Sequence, residues 1–260
     1  MPSNATGASP LRIVSPAHLF FAAMLVWLGV LGASKGGFTA VLSGVPRSLP
    51  GRPAVAYACA AVFLLGGLGA LFRRTAAVAA GLLVALWVLC VLLLRVPFLA
   101  QSPGSSGAWW VCGETAVMLS GAWVLYAWFG PPGFASGDRG LRIARTLYGL
   151  GLIPFGIAHF TFLERTVGMV PHWLPWHLAW AYFTGAAFIA AGLGIVSGVL
   201  APLAAALSAW EMALFTLIVW VPVVLKGASA GDWNEFVDSV ALTAVGWLVA
   251  DTWNRGRNAR

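Results

Sequence analysis

Apolar positions in this chain are grouped in long blocks, without the alternation of a half-buried strand or the one-sided stripe of a surface helix. Eight blocks of about 20 residues can be drawn, at 17–36, 53–72, 75–97, 109–129, 143–163, 177–197, 200–223 and 233–251. Each is long enough for a helix to cross ~30 Å of hydrocarbon. Between them lie short stretches rich in Gly, Pro, Ser and Arg, residues that end helices and turn the chain. The pattern predicts an all-α polytopic membrane protein with eight transmembrane helices.

The eight blocks are two sets of four. Residues 44–98 reappear, shifted by 125 positions and without a gap, as residues 169–223. Val45-Pro46 falls on Val170-Pro171, Leu49-Pro50 on Leu174-Pro175, and Ala56-Tyr57 on Ala181-Tyr182. Gly67-Leu68-Gly69 falls on Gly192-Leu193-Gly194, and Val96-Pro97 on Val221-Pro222. Roughly a third of the aligned positions are identical, the kind of self-similarity that marks a duplicated unit. Four spans per unit is an even number, so both copies enter the membrane in the same orientation, as parallel repeats. The expected organisation is an N-terminal segment 1–16, a first four-helix repeat 17–129, a Pro/Gly-rich connector 130–140, a second repeat 141–251 and a basic tail 252–260.

Composition agrees. Sixty per cent of the residues are hydrophobic and 9% charged, with a mean hydropathy of +0.87, too little charge to cover a soluble domain of this size. The net charge of +7 raises the question of a nucleic-acid partner, but its distribution is that of a topology signal. Arg12, Arg73, Arg74, Arg139, Arg142, Arg145, Arg255, Arg257 and Arg260 fall on the side of the termini. Lys35, Arg47, Arg52, Arg95, Arg165 and Lys226 fall on the other. The excess sits in tight loops, where the positive-inside rule has most weight. Both termini are therefore expected in the cytoplasm, and no nucleic acid is expected as a partner. The first apolar block is long enough to be a retained helix rather than a cleaved leader. Cys59, Cys90 and Cys112 fall in blocks two, three and four with no CxxC spacing and read as small packing residues. No metal site is expected.

Loops on the side away from the termini carry the repeated Val-Pro-x-x-Leu-Pro. The second copy adds Trp173 and Trp176, which read as interfacial, as do Trp109, Trp110 and Trp233. Gly66-Gly67-Leu68-Gly69 and Gly192-Leu193-Gly194 read as close helix crossings.

Ionisable groups inside the blocks need a partner or a purpose. At an offset of 124, Lys35 falls on His159, and Glu114 and Thr115 fall on Asp238 and Ser239. Tyr57 and Tyr182 stand about one turn into the second helix of each copy. At 1.5 Å per residue, Glu114 lies ~8 Å below Trp109 and Asp238 ~8 Å below Trp233, and His159 reaches a similar depth ~24 Å from the start of its block. Lys35, Tyr57 and Glu114 in one copy, and His159, Tyr182 and Asp238 in the other, are thus expected to form two polar clusters. Each is either a structural ion pair or a hydrated, proton-handling ligand pocket. Glu211 lies near the middle of the seventh block, where the first copy has Leu86. It is the candidate midplane proton site, expected to face the protein interior. His172 and His177 read as interfacial residues, and His18 carries no functional signal.

The four-span unit, its Gly-x-x-Lys or Gly-x-x-His near the end of the first helix, and the Val-Pro-x-x-Leu-Pro loop leading into a Gly-rich second helix resemble the DoxX-like family of bacterial integral membrane proteins. The resemblance is clearest over 141–251 and weaker over 17–129. It implies four-helix units in a bacterial cytoplasmic (inner) membrane. Some relatives are subunits of thiosulfate:quinone oxidoreductases or associate with redox enzymes. Where the family often has an acidic residue near the start of the second helix, this chain has Tyr57 and Tyr182. Three function classes remain open. One is a subunit or accessory of a quinone-linked redox system, with a quinone held by His159, Asp238 and Tyr182 and electrons supplied by a redox partner protein. Another is a small-solute or lipid transporter with Glu211 as its coupling group. The third is a membrane scaffold for partner proteins. A water path to Glu211 from both faces would mark transport, and a lateral opening near His159 would mark the quinone site. No residue set suited to holding a flavin or haem is evident.

Overall fold

The computed structural model describes residues 10–258, with side chains through Asn254. The basic side chains of the expected cytoplasmic tail at 255–260 and the first nine residues lie outside that range. Among the described residues the fold is all helix, apart from an isolated bridge between Leu11 and Phe72.

The chain runs α1 (Pro16–Lys35), α2 (Arg52–Ala70), α3 (Ala76–Cys90), α4 (Val96–Gln101), α5 (Ser106–Phe129), α6 (Gly137–Thr161), α7 (Leu163–Met169), α8 (His177–Ser197), α9 (Ala201–Leu214), α10 (Val221–Leu225) and α11 (Ala230–Asn258). A π-helical turn, Val91–Arg95, joins α3 to α4, and another, Phe215–Trp220, joins α9 to α10. The cause lies just downstream. Pro97 and Pro222 cannot donate a backbone hydrogen bond, and their rings push away the carbonyl one turn earlier, so the preceding turn widens. Both π turns and both prolines fall at corresponding places in the 125-residue alignment.

Six helical segments are long and apolar enough to cross a membrane: Pro16–Lys35, Arg52–Ala70, Ala76–Gln101, Gly137–Thr161, His177–Ser197 and Ala201–Leu225. The two other long helices, α5 and α11, fall short in apolarity, and these carry Glu114 and Asp238. Their position explains the difference. Neighbours pack in a ring, α1–α2–α3–α5–α6–α8–α9–α11, which closes by α11 against α1, while α5 and α11 also meet across the middle. Helices that face other helices need less apolar surface than those that face lipid.

Close crossings are made by glycine, as expected. A Cβ on Gly67 would lie 2.6 Å from the Ala22 carbonyl oxygen, and one on Gly192 2.6 Å from that of Gly149. The same device joins the halves of the chain. Gly113 of α5 and Gly151 of α6 face each other so closely that a Cβ on either would sit 2.7 or 2.8 Å from the other's carbonyl oxygen.

Boundaries follow local chemistry. Ser15 and Ser105 cap α1 and α5 by accepting from His18 N–H and Ala108 N–H. Ser229 and Asp232 cap the start of α11 reciprocally: the Asp232 carboxylate accepts from Ser229 N–H and O–H at 2.9 and 2.7 Å, and Asp232 N–H donates back to Ser229 Oγ at 3.2 Å. These bonds hold the Asp232 carboxyl below its ordinary range. The sequence-expected connector 130–140 is corrected at its end: α6 begins at Gly137, so Asp138 and Arg139 lie in its first turn. The stretch between the fifth and sixth apolar blocks, expected as a loop, is likewise corrected, because Leu163–Met169 forms α7.

Candidate functional site

A cavity of about 560 Å³ lies in the second half of the chain, bounded by α6, α7, α8, α9 with its π turn, and α11. Its walls are mainly aromatic and aliphatic, among them Phe155, Phe188, Phe215, Trp210 and Leu242. Phe155, His159 and Phe215 each pack a ring against Phe188 or His159, with centroids 5.5–6.1 Å apart. On the α8–α9 side it is bordered by Phe183, Leu207, Trp210 and Leu214, all exposed on the outer surface of the bundle. These four residues keep exposed surface where the cavity meets two membrane-length helices. At the loop end it is roofed by α7 and by Val170, Pro171, Trp173 and Leu174.

The polar groups lining it are His159, Glu211, Glu235, Asp238, Ser239, Arg165, Thr166, Thr184 and Glu114. Glu114 comes from the other half of the chain. The Gly113–Gly151 crossing brings α5 against α6, so the residue after Gly113 is presented to the second half. Glu114 and Asp238, the matched acidic residues of the sequence repeat, act on each other electrostatically, together with Glu235. Arg165 Nη2 donates to Glu235 Oε1 at 2.7 Å and sits 5.8 Å from the Trp110 ring, tying α7 to α11 and α5 over the cavity. His159 Nδ1 lies 2.8 Å from the Phe155 carbonyl oxygen. Asp238 Oδ1 and Glu211 Oε1 are buried and have no hydrogen-bond partner among the described residues. Below Glu211, Tyr148 is fully buried with its hydroxyl 3.1 Å from Ser208 Oγ.

The expected pairing of Lys35 with Glu114 is corrected. Lys35 ends α1 with an exposed side chain, while Glu114 turns into the cavity of the other half. The cation acting on Glu114 is Arg95, which the sequence pattern had marked only as a topology charge. Arg95 is buried; its Nε donates to Thr115 Oγ1 at 2.7 Å and its Nη1 to the Ser43 carbonyl at 2.9 Å. A cation just before a proline that widens the preceding turn was the available signal. In the second half the same junction is built from hydroxyls: Thr216 Oγ1 lies 2.7 Å from Ser239 Oγ and 3.0 Å from Thr243 Oγ1.

His159 and Asp238 line one cavity but form no ion pair, and Nδ1 of the histidine is turned to its own helix. Tyr57 and Tyr182 lie outside it. Tyr57 is 51% exposed with its hydroxyl beside Gly36, and Tyr182 is 45% exposed and stacked on Phe160 at 5.7 Å. In the first half, around Gly32, Phe38, Thr39, Ala60 and Phe63, the packing leaves no room for a water molecule. Glu211 lines the cavity, as its expected interior placement requires. Among the described residues no His, Cys, Asp and Glu cluster is arranged to hold a metal, and Cys59, Cys90 and Cys112 are free thiols.

These features define a multi-pass α-helical membrane protein with an acid-lined cavity. Comparison of the chain with protein-family models, curated proteins and solved structures finds no match.

Proposed function

We propose that this protein takes a lipophilic molecule with a quinone-type head group from the bilayer into the second-half cavity, as a membrane subunit or accessory of a quinone-linked redox system. The observation that carries the proposal is a cavity whose lining runs from exposed Phe183, Leu207 and Trp210 on two membrane-length helices to His159, Asp238 and Glu211. Ligand sites commonly combine such apolar walls with a few convergent polar groups. The ring would lie among Phe155, Phe188 and Phe215, with its oxygens toward the polar end, and electrons would come from a partner protein.

The proposal includes the architecture inferred from the repeat: eight spans in two parallel DoxX-like halves, in a bacterial inner membrane, with both termini cytoplasmic. The paired π turns and the shared element order of the halves support it. On this reading the halves have diverged, one holding the cavity and the other closed. The transport alternative is less favoured, since the buried Tyr148–Ser208 contact stands between Glu211 and the far end of the bundle. A pure scaffold would have no use for buried carboxyl oxygens beside a cavity.

The test is photolabelling of the purified full chain in lipid nanodiscs with an azido-quinone, followed by peptide mapping. Saturable labelling of α8 and α9 peptides around Phe183 and Trp210, displaced by unlabelled quinone, is expected. Labelling that is unsaturable or spread over the lipid-facing surface would overturn the proposal.

A further inference from the structure

The helix that roofs the cavity rests on little. Phe162, just before α7, and Arg165, Thr166 and Met169 within it recur at helical spacing, and all four line the cavity. One face of α7 therefore looks onto open space, and none of its seven residues is buried. The corresponding stretch of the first half, 38–44 at the same offset of 125, is built differently. There a 3₁₀ turn, Ala40–Leu42, buries Val41 and Leu42, and the packing around Phe38, Thr39 and Leu42 leaves no room for water. A packed plug in one half is a cover over empty space in the other.

Few polar ties hold that cover. Arg165 Nη2 donates to Glu235 Oε1 of α11 at 2.7 Å, and the two side chains are 52% and 35% exposed. The Arg165 guanidinium stands 5.8 Å from the Trp110 ring. At the far end His177 Nε2 donates to the Pro171 carbonyl at 3.2 Å. Both ends of α7 leave helical geometry: Phe162 has φ −112° and ψ 41°, and Val170, held extended by the proline after it, has φ −65° and ψ 126°. Segments with few buried contacts lie at the low end of local stability and open first. An ion pair this exposed contributes little and is screened by salt.

We propose that α7 is a lid on the cavity, hinged at Phe162 and at Val170–Pro171 and latched by Arg165–Glu235, whose opening connects Glu235, Asp238 and Ser239 to the aqueous phase at the loop end of the bundle. The geometry behind this is a helix whose inward face meets a cavity and whose tie to α11 is one exposed ion pair. The lid depends on the cavity and not on the quinone-type ligand proposed for it, so each stands or falls separately.

The test is the rate at which a charged, membrane-impermeant methanethiosulfonate labels Ser239→Cys, under the lid, in the cysteine-free full chain in phosphatidylcholine nanodiscs. Thr184→Cys, on the α8 wall of the cavity, is a second reporter in case the first does not fold. Gly168→Cys, where a side chain meets nothing, gives the reference rate. Relative to that reference, Arg165→Gln and Glu235→Gln should each speed labelling of the reporters by about two- to fivefold. High salt should speed labelling similarly when the latch is intact and leave both latch variants unchanged. Arg165→Glu combined with Glu235→Arg should restore the slow rate. Equal rates with and without the latch, or no labelling of either reporter, would overturn the lid and leave the quinone reading standing. Latch-dependent labelling in a chain that no azido-quinone labels saturably would support the lid and overturn the quinone reading alone.

Discussion

Trp176 adopts the left-handed backbone of Gly51, its counterpart 125 residues earlier: φ and ψ are 58° and 49° in one and 64° and 22° in the other. Each stands just before the helix that follows a Val-Pro-x-x-Leu-Pro loop, so the loop shape persists where the residue suited to it does not. A bulky side chain in this region costs about 1–2 kcal/mol, and the indole, 80% exposed, recovers little by packing. Trp176→Gly should therefore stabilise the protein by about 1 kcal/mol, after allowing for glycine's greater unfolded-state freedom. Denaturant unfolding in detergent micelles checks this. A clear loss of stability would mean that the indole holds the loop.

The Gly113–Gly151 crossing is what delivers Glu114 to the second half. Gly151→Val has no space beside the Gly113 carbonyl and Val117, so it should separate α5 from α6 and cost at least about 2–3 kcal/mol. The same change at Gly168, where a Cβ would meet nothing, serves as the control. Equal behaviour of the two variants in thermal unfolding would remove the crossing from the argument.

Arg95 ties its π turn to α5 and to the segment at Ser43. Arg95→Ala leaves the Ser43 carbonyl and Thr115 Oγ1 without their donor and should cost about 1–3 kcal/mol, in the range for stranding a buried polar group. Arg95→Lys should recover only part of this, since an ammonium lacks the planar fork that reaches Thr115 and Ser43 together. A fully stable lysine variant would argue that charge alone matters.

Glu211 has the opposite sign. Its Oε1 is buried without a partner, and the corresponding residue of the first half is Leu86. Glu211→Leu should raise stability by about 1–3 kcal/mol, the cost of an unsatisfied buried polar group, while weakening ligand binding. Glu211→Gln should fold normally, since no hydrogen bond to Oε1 is lost. Full activity in that variant would eliminate a proton-transfer role. A destabilised Leu variant would show that the carboxyl serves the fold.

Topology is open to direct measurement. Single cysteines placed at Ser136 and Arg73 in a cysteine-free background should label from one face of the membrane, and those at Ser102 and Gly168 from the other. The proposed arrangement of spans fails if Ser136 and Arg73 label from opposite faces.

The sequence by itself determined the helices. Apolar runs of membrane length, bounded by Gly, Pro and Arg, leave the backbone no other way to satisfy its hydrogen bonds in lipid. The repeat set Pro97 and Pro222 at matching places, though not the π turns before them, and it anticipated the glycine crossings, because these depend on the absence of a side chain. It also drew attention to Glu114, His159, Asp238 and Glu211. Partner choice was decided only by the tertiary structure. Depth along a helix axis follows from counting residues, but the direction a side chain faces depends on which neighbour that helix packs against. The sequence pattern grouped α5 with the first repeat, yet Gly113 against Gly151 turned Glu114 toward the second. Lys35 was left at an exposed helix end, and a buried cation, Arg95, was set near Glu114. One cavity took the place of two matched clusters, because side-chain packing closed the space around Phe38 and Phe63 and left it open beside Phe188.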